Sequence, residues 1–344
     1  MKSLRLLALI ALAAATLRSQ PPNNGAVYWS TAPPDCSSLA GESPVAIANA
    51  SKTTIGYSCY VAGTFVWLVA GGEWGTSIRA AAPASGAVGV DYTFYDASGN
   101  DLSVDARLGS GSSIASGNEA SFALSANQPA EVSLLGATSG APAYTSTSTG
   151  SVYAVFYCPD AATCGNLRPM LLYSTLPSLP WWLSAPISWD TELWTQWSAE
   201  GIDDGGAHRV SLAIYNEDTT ATSYTVRVYD STGSIAGTGA TPSIPPLQAR
   251  SDGSLGEGGT YGAMLSDVIP TPLPAGLFKI LVDGGAKYSA VEVLQFNPSS
   301  ATALQVAYDS APGVRSSAAS ASRLSIRRAR VAPMSRTVFS ELAR

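Results

Sequence analysis

Two stretches of the chain carry the same alternation of apolar and polar positions. They are GEWGTSIRAAAPASGAVGVDYTFYDASGND, residues 72 to 101, and GAHRVSLAIYNEDTTATSYTVRVYDSTGSI, residues 206 to 235. Only six of their 30 aligned positions are identical, so the pattern carries the comparison. Each predicts a strand, a turn of small or polar residues, and a second strand of period two. Val90, Tyr92 and Phe94 share one face of that second strand in the first copy, and Tyr224, Val226 and Val228 in the second. Asp91, Thr93, Thr225 and Arg227 fall on the opposite face, which is expected to meet solvent. Both strands run into Tyr-Asp-x-x-Gly, at Tyr95 to Gly99 and Tyr229 to Gly233. There Asp starts a type I turn and Gly supplies the positive φ of a bulge. A calcium loop is the weaker reading, since alternating oxygen ligands are missing.

Beyond this hairpin the order of apolar runs continues in parallel. Ser121 to Leu124 and Ala130 to Leu135 are matched with the region around Ser243 to Ala249, and Val152 to Tyr157 with Tyr288 to Leu294. A Trp-bearing strand precedes each copy, Thr64 to Val69 and Glu192 to Ser198. The expectation is an all-β protein of two tandem antiparallel Ig-like β-sandwiches of about seven strands each. Domain 1 is placed at 24–175 and domain 2 at 189–310, joined by a Pro- and Trp-bearing linker over 176–188. Residues 24–60 exceed what the duplication explains, and are expected to add strands to domain 1 or to cap its open edge. Trp74 to Leu102, the VYAVFY run, RVSLAIYN and YTVRVYDSTG together resemble the tandem Ig-like sandwich domains of uncharacterised exported bacterial proteins. The resemblance implies a fold and an extracellular setting, and it carries over no functional residue; His208 stands where the first copy has Trp74.

Composition sharpens this reading. The chain is 46% hydrophobic and 13% charged, which suits a packed core, and its 32 Gly and 22 Pro suit many turns. Residues 1–20 place Lys2 and Arg5 before an apolar run from Leu6 to Ala15 and an A-x-A pair, the form of a secretory signal peptide. No later run is long enough to span a membrane. Residues 20 to 310 hold 9 basic and 24 acidic residues, so the body would repel a nucleic-acid backbone. Residues 311–344 hold seven Arg and a single acid, Glu341, among Ala and Ser, and read as a disordered basic tail. In an exported chain the four cysteines are expected to pair, Cys36 with Cys59 and Cys158 with Cys164, each within one domain.

Reactive constellations are sparse. His208 is the single histidine, no G-x-S-x-G elbow accompanies it, and no phosphate-binding glycine motif occurs. A hydrolase using paired carboxylates would have to draw on Asp190 with Glu192, or Asp203 with Asp204. Five of the eight Trp lie between 181 and 197. They are read as rings that fix the angle between domains, as core, or as a sugar platform formed by Trp181, Trp182 and Trp189. The expectation is a non-enzymatic extracellular protein without cofactor or metal, structural, adhesive or binding, with a glycan or another protein as partner.

Overall fold

The structure is a computed structural model. It describes residues 26–39, 43–48, 53–70, 74–108, 113–134, 148–175, 183–190, 194–205, 209–248, 256–297, 302–305 and 308–309. The expected signal peptide and basic tail lie outside these residues. The strands are β1 (Val45–Ala48), β2 (Thr54–Ala70), β3 (Trp74–Ala81), β4 (Val88–Asp96), β5 (Val104–Leu108), β6 (Ser113–Gly117), β7 (Glu119–Leu124), β8 (Pro129–Ser133) and β9 (Ser148–Cys158). After a short helix α1 (Ala161–Gly165) come β10 (Met170–Thr175), β11 (Leu183–Pro186), β12 (Ser188–Trp189), β13 (Gln196–Asp203), β14 (Arg209–Asn216), β15 (Thr225–Tyr229), β16 (Ile235–Ala240) and β17 (Thr260–Met264). Helix α2 (Leu265–Val268) precedes β18 (Gly276–Asp283), β19 (Ser289–Asn297), β20 (Thr302–Gln305) and β21 (Tyr308–Asp309).

The protein is all-β, and its strands pair antiparallel into four sheets. Sheet one runs β1-β2-β9-β4-β7 with β12 also on β2, and sheet two runs β11-β10-β3-β8-β5-β6. Sheet three runs β16-β15-β18-β13-β21, and sheet four β17-β14-β19-β20. Strand order repeats between the two halves. The series β7-β4-β9-β2-β12 has its counterpart in β16-β15-β18-β13-β21, and β11-β10-β3-β8 in β20-β19-β14-β17. The first half adds β1, β5, β6 and α1. This order corrects the strand matching expected from alternation. Val152 to Tyr157 lies on β9, whose counterpart is β18; Tyr288 to Leu294 belongs instead with β10. Likewise β7 and β8 correspond to β16 and β17 rather than to Ser243 to Ala249. Period-two patterns look alike from strand to strand, so order alone does not fix which run matches which.

Two cores fill the spaces that this alternation predicts. Phe65, Val90, Phe94, Phe122 and Phe156 from sheet one meet Ile78, Val132 and Leu171 from sheet two. Val226, Val228 and Ile280 from sheet three meet Ile214, Val291 and Val293 from sheet four. Two disulfides, Cys36–Cys59 and Cys158–Cys164, lie in the first half, and Cys59 and Cys158 sit directly opposite each other on β2 and β9. The turns after β4 and β15 share one construction. Asp96 Oδ1 accepts from the N–H groups of Ser98 and Asn100, and Asp230 Oδ1 from those of Thr232 and Ser234. Gly99 and Gly233 take φ values of 84° and 83°.

Solvation of the outer faces differs between the halves. Thr225 and Arg227 are half-exposed, but Asp91 and Thr93 are buried. The expected solvated face of β4 is covered because Tyr28 lies against Gly89, where a Cβ would come within 2.8 Å of its ring. Tyr28 and Ile47 join Tyr60, Tyr153 and Tyr157 in an apolar layer over sheet one. Residues 26–39 and 43–48 thus supply this cover as well as β1, which pairs with β2.

Sheet four is also buried on its outer face. Ala213, Tyr215 and Ala290 pack on Val66, and Leu294 and Phe296 extend the first core. Three hydrogen bonds reinforce the contact: Thr260 Oγ1 to the Val66 carbonyl at 2.8 Å, Thr260 N to the Ala97 carbonyl at 3.0 Å, and Thr64 Oγ1 to Glu217 at 3.4 Å. The Trp67 ring lies over Gly262, where a Cβ would meet it at 2.7 Å.

Candidate functional site

Trp181, Trp182, Glu192 and His208 lie outside the described residues. Asp203 ends β13 opposite Gly276 and Asp204 follows it in an exposed bend, where Asp203 Oδ1 accepts from Gly205 N at 3.1 Å. Asp190 is buried and accepts from the Tyr153 hydroxyl at 2.8 Å. Trp197 belongs to the second core and donates from Nε1 to the Ser289 carbonyl at 2.9 Å, while Trp194 packs at the edge of that core. Among the described residues, Trp67 lies at the contact between the halves, with Tyr215 beside it, and both are outside the 181–197 cluster.

Trp189 is half-exposed and lines a pocket of about 150 Å³ beside the Cys158–Cys164 disulfide. Backbone geometry places it. β12 pairs with β2 through Ser188 opposite Thr64 and Trp189 opposite Gly63. A Cβ at Gly63 would fall 2.5 Å from the Ser188 carbonyl oxygen, so glycine is what lets the two backbones meet. The indole is oriented further by an edge contact with Phe156, ring centroids 5.9 Å apart. Val61 and Ala62 of β2 and Leu167 form the apolar part of the wall, together with Cys164 of α1. Asp160 caps that helix by accepting from Thr163 N at 2.7 Å, and the disulfide ties it to β9.

Arg168 completes the pocket and is exposed. Its Nη1 donates to the carbonyls of Gly165 and Leu167 at 2.9 and 2.6 Å, which fixes the guanidinium at the end of α1. Arg168, Val61 and Leu167 carry no spacing signal in the sequence; only the fold brings them to Trp189.

Two carboxyl groups are buried outside this pocket. Glu292 on β19 lies 3.0 Å from the Tyr173 hydroxyl, which is itself 2.7 Å from the Trp67 carbonyl oxygen. Burial pushes the Glu292 carboxyl up to about 8, with the Tyr173 contact opposing the shift. Asp91 on β4 has neither carboxyl oxygen hydrogen-bonded among the described residues, with Ser121 opposite it on β7. Burial raises it to about 8 as well, Ser121 opposing and Glu119 adding to the shift. A buried carboxyl of this kind is held neutral, and neither stands in an open cleft where a substrate would meet it.

Among the described residues no three His, Cys, Asp or Glu side chains gather where they could hold a metal ion, and no helix is long and apolar enough to cross a membrane. Compared with known proteins, the chain matches no family model, no curated protein and no solved structure.

Proposed function

We propose that the chain is an exported, non-enzymatic structural or adhesive module, in which two tandem Ig-like sandwiches act as one rigid unit outside the cytoplasm. The observation that carries this reading is the buried contact between sheet four and the first half, where apolar packing, Thr260–Val66 and the Tyr173–Glu292 pair leave the outer face of sheet four unavailable to solvent. Such a contact suits a part that must hold its shape under load, because relative motion would expose both apolar surface and buried acids. The repeated strand order supports the tandem reading. The two disulfides and the form of residues 1–20 support an oxidising compartment.

Fractionating cells that express the full chain tests the export claim, with mass spectrometry of thiols as the readout. The expected result is a processed protein outside the cytoplasm with all four cysteines oxidised. A cytoplasmic protein with reduced thiols contradicts it. A panel of glycan, ester and peptide substrates tests the remainder: turnover abolished by a single substitution would make the protein an enzyme.

A further inference from the structure

The geometry points to the pocket between Trp189 and Arg168 as a binding site for a small monocyclic aromatic carboxylate. This goes beyond the structural role proposed above and does not depend on it. A cavity near 150 Å³ accepts one six-membered ring when its lining is apolar. Val61 and the half-exposed indole of Trp189 supply the apolar surface, backed by Ala62, Leu167 and Cys164, which are almost fully buried.

Charge selects the other end of the ligand. Among the described residues, Arg168 is the one charged residue lining the pocket. Its Nη1 is held by two carbonyls, while Nε and Nη2 make no hydrogen bond among the described residues. A planar guanidinium fixed in this way presents paired donors suited to a carboxylate. Its fixation costs the ligand nothing on binding, since α1, the disulfide and the Gly63 approach already hold the walls in place.

The test is a benzoate titration of the intact oxidised protein, followed by the tryptophan indole N–H resonances, with Trp189→Phe identifying the Trp189 signal. One indole signal is expected to shift saturably with a Kd of about 1 mM, as suits a ligand of this size. Arg168→Gln is expected to weaken binding about tenfold, and Arg168→Lys less, since it keeps the charge but loses the paired donors. Arg168 is exposed, so both variants should fold, and unchanged dispersion of the remaining indole signals checks this. Benzamide, benzylamine and glucose are expected not to saturate the Trp189 signal. Absence of a saturable benzoate shift, equal binding of benzamide, or an Arg168→Gln protein that binds as the parent does would each overturn the proposal.

Discussion

Tyr173 has one hydroxyl hydrogen and two oxygens within bonding distance, the Trp67 carbonyl at 2.7 Å and Glu292 Oε1 at 3.0 Å. The hydroxyl donates toward both oxygens, and its contact with Glu292 favours the charged carboxyl against the larger effect of burial. Burial thus holds Glu292 neutral in the folded protein, against the Tyr173 contact. From β10 it is faced by Tyr173; its partner on β14 is Ala213, which carries no charge. The consequence for pH follows from linkage. Unfolded, the carboxyl ionises near its ordinary value of 4.5; folded, it holds its proton to about 8. Its stabilising contribution is complete below the ordinary value and is lost as pH rises through about 8, a decline on the order of 3–5 kcal/mol, to which Asp91 adds in the same sense. Asp230 works in the opposite direction, held below the usual carboxylate range by the Thr232 hydroxyl and the Ser234 N–H, so its small contribution is lost in acid. The protein should therefore resist urea better at pH 5 than at pH 8. Glu292→Gln, whose amide can accept from Tyr173 without ionising, should flatten that difference. Equal urea midpoints for the parent at both pH values would contradict the assignment.

At the scale of elements, two turns with the same sequence form differ in what surrounds them. A Cβ on Gly233 would meet nothing within 4 Å, so Gly233→Ala should cost about 1–2 kcal/mol from its positive φ alone. A Cβ on Gly99 would approach the Glu257 carbonyl oxygen at 2.7 Å and that of Gly258 at 2.9 Å. Gly99→Ala should therefore cost distinctly more in thermal denaturation, and an equal loss from both variants would show that the loops after β4 do not press on the second half. These elements also show what was legible in the chain. Strands β3 and β14, expected to pair with β4 and β15 as hairpins, lie in the opposite sheets, but β4, β15 and the turns after them could be read because alternation and Tyr-Asp-x-x-Gly are local signals. The pairing of β9 with β18 as counterparts could not, since both are apolar runs whose place is set by distant partners. Asp91 looked like a solvated residue because its cover, Tyr28 on Gly89, comes from more than sixty positions away. Trp189 stood out through the density of tryptophans, whereas Arg168 became visible only once β12 was seated against Gly63.

For the molecule as a whole, the contact between the two halves is an interior. Sheet four has core on one face and the first half on the other, and Tyr173 meets Glu292 across the contact. Breaking it would expose Val66, Trp67, Tyr215 and Ala290 together, so neither half is expected to unfold without disturbing the other. Gly262 offers a way to separate them, because its missing side chain faces Trp67 across the contact. Gly262→Leu should wedge the halves apart while leaving both cores intact. Differential scanning calorimetry of the parent and this variant tests the account most directly. The prediction is a single cooperative transition for the oxidised parent and two resolved transitions for Gly262→Leu; two independent transitions already present in the parent, and unmoved by the substitution, would contradict it.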